Sequence, residues 1–132
     1  MPSTLATINR FSRWTLAFVF FYHGLVPKIL WPSAIERAMV EANGFSIPAN
    51  LISYAGGTFE MMLAILILFY KTSLIPVYMA AALIVFLSLD VAILMPELLV
   101  EAFNPVSINI AIWVLCYITY LSQNGMDVVD AH

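Results

Sequence analysis

The sequence is poor in charge, in histidine and above all in cysteine. Lysine, arginine, aspartate and glutamate make up only 10% of its 132 residues, against about 25% in an ordinary soluble domain. The net charge of -3 is spread out and there is no basic stripe, so nucleic acid is not an expected partner. A lone cysteine, Cys116, cannot form an intramolecular disulfide, and CxxC redox and zinc motifs are missing. It reads as a small buried core residue. The two histidines, His23 and the terminal His132, supply neither a bis-histidine haem site nor a second ligand constellation, so no metal is expected. No internal repeat or low-complexity tract is evident. The apolar runs are continuous rather than alternating, which disfavours a β-barrel. No small-x-small cleavage site follows the first run, which therefore reads as a retained span rather than a signal peptide.

What is present is apolar. Hydrophobic residues make up 63% of the chain and the mean hydropathy is +0.96. So small a chain cannot hide that much apolar surface from water, and lipid must cover it. With no water at mid-depth, helices satisfy their own backbone groups. The expected fold is an all-α integral membrane four-helix bundle, a single transmembrane domain over residues 1–132. Its spans lie at about 14–31, 47–70, 74–95 and 106–121, three of them near or above the roughly 20 residues a crossing needs. The connection Lys71-Thr72-Ser73 is tight, which predicts an antiparallel hairpin of spans two and three. The polar stretch after Ser122 reads as a frayed tail.

Residues Ser33 to Gly44 differ in character. Ser33 with Glu36 three residues on makes a capping-box pattern, and Gly44 is a natural stop. Ile35, Ala38, Met39 and Ala42 share a face, which predicts a short amphipathic helix between spans one and two, at the membrane surface or over the bundle mouth. Pro27 removes a backbone donor and predicts a kink late in span one. Lys28 lies close enough to that span's end to snorkel.

Polar groups inside the spans are the candidate site. A carboxylate at mid-span, Glu60, costs about 2.5–3.5 kcal/mol on insertion scales for comparable charges, so it must face the bundle interior or be neutralised. Gly56 and Gly57 beside it allow a neighbouring helix to approach. Asp90 lies on the partner arm of the hairpin. Counted from Thr72, the two acids differ in depth by about 9 Å, so they can share one cavity without touching. His23 is the one intramembrane histidine, suited to a hydrogen bond with Glu60 or with a bound polar group. Asn109, Trp113, Cys116 and Tyr120 recur at i, i+4, i+7 and i+11, a single stripe of span four. Such a stripe is either packing or the wall of a flat apolar ligand. Glu60, His23, Asp90, Asn109, Trp113 and Tyr120 are thus the candidate ligand-binding residues, and no catalytic residue is assigned.

Several of these features together resemble the DoxX-like family of small bacterial four-helix membrane proteins. They are the arginine-led first span with Arg10, Arg13, Gly24 and "GLVPK", the "AGGTFE" of span two with Gly57 and Glu60, the long apolar third span, and "NPVSIN" with Pro105 and Asn109 opening the fourth. The resemblance implies a four-helix bundle in the bacterial inner membrane. It associates the chain with membrane redox systems, as an accessory or quinone-binding subunit. The missing cysteine pair argues against thiol redox chemistry by the chain itself. A quinone is the one cofactor this suggests. Expected partners are the lipid bilayer, a lipophilic small molecule, and a membrane protein or a second copy of the chain. Two other readings stay open: an enzyme acting on a lipophilic substrate with Glu60 or Asp90 as general acid or base, and an assembly factor or scaffold. With four spans both termini share a side with Lys71, and the bias of Arg10, Arg13 and Lys71 over Lys28 and Arg37 predicts that this side is cytoplasmic.

Overall fold

The computed structural model describes residues 4–130, and among these there is no strand. Five helices follow in order: α1 (Thr4–Leu25), α2 (Ala34–Ala42), α3 (Ala49–Phe69), α4 (Ile75–Leu94) and α5 (Pro105–Asp130). A π-helical turn, Val26–Leu30, continues α1, and a 3-10 turn, Pro96–Val100, follows α4. Helices α3, α4 and α5 are each long and apolar enough to cross a membrane. The first span is a broken one: Thr4–Leu30 meets the same test only together with α2, across an 89° bend.

The bend has a local cause. Pro27 has no N–H, so the ordinary helical ladder cannot pass through it. The Trp31 amide instead reaches five residues back to the Val26 carbonyl at 2.8 Å, a π turn rather than a simple kink. The Ser33 amide then donates to the Pro27 carbonyl at 3.0 Å. Ser33 caps α2 by accepting from the Glu36 amide at 3.0 Å. Half of the expected capping box is therefore made. The reciprocal half is not, because the Ser33 amide is already engaged and the Glu36 carboxylate is free to point elsewhere. Gly44 ends the helical stretch with φ at +71°, the left-handed conformation that favours glycine.

Helix α1 packs against both α3 and α5, α4 packs against α5, and α2 lies over α3. The buried core runs through Leu16, Phe20, Leu63, Ile67, Val77 and Ile112, with Cys116 among them. Outward faces are apolar as well: Phe18 is 67% exposed, Phe69 77% and Ile93 75%. Large hydrophobics exposed on every outer face suit lipid and not water.

Two boundaries differ from the hydropathy reading. Helix α1 begins ten residues before Trp14, and α5 continues past Leu121 to Asp130, so the stretch after Ser122 is helix and not a frayed tail. Asn9 explains both extensions. Its Nδ2 donates to the Thr119 carbonyl and to Ser122 Oγ, each at 3.1 Å, tying the two polar helix ends together.

Helices α1 and α3 cross at glycine. A Cβ on Gly57 would lie 2.5 Å from the Gly24 carbonyl oxygen, and one on Gly24 would run into the Gly57 carbonyl. Gly56 does not share this contact; the nearest atom to its would-be Cβ is Lys28 Nζ at 3.9 Å. Gly57→Ala therefore forces the helices apart and costs about 1–3 kcal/mol, as overpacking does. Gly56→Ala is its control. Thermal unfolding in mild detergent should show a lower midpoint for Gly57→Ala and little change for Gly56→Ala; equal midpoints for both would refute this crossing.

Candidate functional site

The glycine crossing decides which polar groups meet. Gly24 and Lys28 are four apart on one helix face, and Gly57 and Glu60 are three apart on another. Apposing the glycines brings Lys28 onto Glu60. The Lys28 Nζ donates to Glu60 Oε1 at 2.8 Å and lies 3.4 Å from Glu36 Oε1. Lys28 does not snorkel. The π turn aims it inward, where it is 9% exposed, and Glu60 is 4% exposed. Glu36, left free by the half-made capping box, comes down from α2 as the second anion.

One lone-pair face of this cluster is unused. Glu60 Oε2 is buried and accepts no hydrogen bond among the described residues, and Ser53 Oγ, two turns earlier on α3, is likewise without a partner there. Buried acceptors are normally satisfied, and an orphan at a polar cluster asks for a partner. Glu60 lines a cavity of about 260 Å³ that Lys28, Glu36 and Asp90 also line, together with Met39, Phe45, Phe59 and Phe86. The cavity lies beneath α2, between α3 and α4. Asp90 is half-buried and makes no hydrogen bond or ion pair among the described residues.

The other sequence candidates lie elsewhere. His23 is exposed, does not touch Glu60 through a hydrogen bond, and lines a separate cavity of about 550 Å³ with Asn109, Val91 and Phe103. Asn109 donates to Ser88 Oγ at 2.9 Å, a link between α5 and α4. Trp113 and Tyr120 line an apolar groove of about 240 Å³ on the outer side of α4 and α5. There Trp113 stacks on Tyr117 at 6.3 Å and Tyr117 on Tyr120 at 6.2 Å. The stripe is real, but its Cys116 faces the core while Trp113 is 50% exposed at the edge.

A second polar cluster occupies the opposite end of the bundle. Arg13 is 2% exposed and forms no ion pair among the described residues. Its guanidinium donates to the Ile67, Tyr70 and Ser73 carbonyls at 3.2, 3.4 and 3.0 Å, so it caps the end of α3 and the turn after it. Nε donates to Asn9 Oδ1 at 3.0 Å and a terminal nitrogen to Gln123 Oε1 at 3.4 Å. A cation at a helix C-terminus meets the negative end of its dipole. Every acceptor here is neutral and every guanidinium edge is used. This cluster holds helices together.

Lys28, Glu36 and Arg13 are the residues that the hydropathy reading placed in water or at the interface. For Lys28 a signal existed, the matched glycine spacings. For Arg13 there was none, because the polar end of α1 gives no sign of being packed.

Removing one member of a buried ion pair costs about 3–5 kcal/mol, whereas replacing both by apolar groups is often neutral or better. Lys28→Met should accordingly lower the apparent stability in detergent more than the double replacement Lys28→Met with Glu60→Leu. A double variant that is weaker than Lys28→Met alone, by thermal or denaturant unfolding, would contradict the pairing.

Against this geometry, comparison with protein families finds one match: the model of the DoxX-like family aligns with residues 17–117. The aligned stretch is about three quarters of the chain and holds Gly24, Lys28, Gly57, Glu60 and Asp90, while Arg13 and Tyr120 fall outside it. Neither the curated proteins nor the solved structures yield a match. Matched over most of its length, with apolar helices long enough to span a bilayer, the chain belongs to the DoxX-like family of membrane proteins.

Proposed function

We propose that the protein is an accessory subunit of a membrane redox system that holds a quinone-like lipophile in the cavity beneath α2. The observation that carries this reading is the unpartnered, buried Glu60 Oε2 beside the Lys28 ammonium at the wall of a cavity whose lining also holds Glu36 and Asp90 and is elsewhere mostly apolar. A lysine ammonium has three donors, and Glu60 and Glu36 take two of them. The third is free for a carbonyl oxygen, as a quinone offers. Glu60 Oε2 accepts from a hydroxyl, as a quinol offers. The same pair of groups thus has one complement for each oxidation state. Phe45, Phe59 and Phe86 supply flat apolar walls, and Phe59 and Phe86 are both exposed on the lipid side. An apolar ligand then arrives through the bilayer rather than through water. Electrons are exchanged with a partner membrane protein, to which this chain presents the lipophile.

The site keeps Glu60 and Asp90 from the sequence candidates and adds Lys28 and Glu36. Asn109, Trp113 and Tyr120 border other cavities, and His23 borders another one while staying within electrostatic reach of Glu60. One observation favours a second reading, an enzyme acting on a lipophilic substrate. Asp90 lines the same cavity without a partner among the described residues, and an unpaired carboxyl beside the two that Lys28 pairs, Glu36 and Glu60, suits general acid–base work. The proposed location is the bacterial inner membrane with the termini cytoplasmic. With the buried Lys28 and Arg13 both set aside, Arg37 stands exposed at one side against Arg10 and Lys71 at the other.

Protein purified in mild detergent should carry a quinone that organic extraction and mass spectrometry recover. A hydrogen bond to a charged group is worth about 1.5–3 kcal/mol, so Glu60→Gln should lower ligand affinity by roughly tenfold or more. Trp113→Phe should leave it unchanged. Absence of any quinone above background, or equal occupancy in Glu60→Gln and the unaltered protein, would overturn the proposal.

A further inference from the structure

Arg10, Arg13 and Lys71 converge on one pocket of about 390 Å³ at the end of the bundle that carries the α3–α4 turn. None of the three forms an ion pair among the described residues. The guanidinium of Arg13 is saturated by neutral acceptors, so its charge is solvated but not cancelled. One carboxylate, Asp127, reaches the same pocket, and it accepts from Gln123 Nε2 at 3.4 Å. Among the described residues three cations therefore face one carboxylate, Arg10 and Lys71 from the exposed rim and Arg13 from the buried wall.

We propose that this pocket binds the phosphate group of an anionic phospholipid. The rim fits that ligand. Trp14 lines the pocket and its indole is 60% exposed, the amphipathic ring that settles at headgroup depth. Leu68 lines the pocket, and the neighbouring Phe11 and Phe69 are exposed on the apolar outer face, so acyl chains descending from the headgroup meet hydrocarbon-like surface. A basic pocket between spanning helices is a suitable seat for an acidic headgroup. A zwitterionic headgroup would bring a fourth positive charge to a recess already lined by three. The site is distinct from the cavity beneath α2: it lies at the other end of the bundle and shares no residue with it.

Native mass spectrometry in mild detergent tests this with three probes: phosphatidylglycerol, phosphatidylcholine and inorganic phosphate. Each basic side chain near a membrane surface is worth about fivefold in affinity for acidic lipid. The double variant Arg10→Gln with Lys71→Gln should thus bind phosphatidylglycerol roughly thirtyfold more weakly. It retains Arg13, so the α3 cap stays in place. Lys71→Arg, which keeps the charge, should retain affinity, and Asp127→Asn should strengthen it. Phosphatidylglycerol should outcompete phosphatidylcholine in the unaltered protein. Equal binding of the two lipids, unchanged affinity in the double variant, or displacement of the lipid by an equal concentration of inorganic phosphate would each overturn the assignment.

Discussion

An ammonium and a carboxylate lie side by side in the bundle interior, and much of the architecture follows from the need to bring them there. Each ion alone would cost several kcal/mol to remove from water, a penalty their attraction offsets only at close range and with good hydrogen bonding. The 2.8 Å contact of Lys28 with Glu60 supplies that range. It requires α1 and α3 to touch, and only paired glycines let two backbones come so near. It requires the chain to turn Lys28 inward, which the π turn at Pro27 does. It also recruits α2, which turns 89° from α1 and lies over α3, bringing Glu36 to the same ammonium. Of the two places its periodicity leaves open, the membrane surface and the bundle mouth, α2 is thereby pinned at the second, over the cavity.

The two ends of the bundle illustrate two uses of buried charge. At the α3–α4 turn, Arg13 spends all its donors on carbonyls and amides, and the result is a closed, saturated joint. At the other end, the lysine–glutamate pair leaves an acceptor unused, an unpaired acid nearby and apolar walls around them. The saturated Arg13 has no donor left for a ligand and lends only its charge to the pocket it borders, whereas Glu60 Oε2 keeps an open acceptor. That asymmetry, rather than the presence of charge in a membrane, separates a structural side chain from one that can bond a ligand directly.

Much of the fold was legible in the sequence because lipid imposes simple rules. Three spans, the hairpin turn and the short helix after Pro27 follow from run length, Lys71-Thr72-Ser73 and the Ser33–Glu36 cap. Glu60 stands out because nothing apolar explains it. The directions of the remaining side chains were not legible. Lys28 near a span's end can point out to headgroups or in to a partner, and the choice is made by the π turn and the fold-back of α2, both tertiary outcomes. The helix ends at Thr4 and Asp130 were invisible to hydropathy because Asn9, Ser122 and Gln123 hold them through hydrogen bonds, not apolar contact. The stripe of Asn109, Trp113 and Tyr120 follows from spacing alone. Spacing does not say whether a stripe turns to the core, to a neighbour or to lipid, and here its members divide among all three.

The central claim is that the cavity beneath α2, with Lys28 and Glu60 at its wall, is where a lipophile is held. Photoaffinity labelling with an azido-quinone, followed by peptide mapping, tests it most directly. Label on Phe45, on the Gly56–Glu60 turn of α3 or on the Phe86–Asp90 turn of α4, displaced by excess unlabelled quinone, is the predicted result. Label confined to the Trp113–Tyr120 groove, or label that excess quinone does not displace, would contradict it.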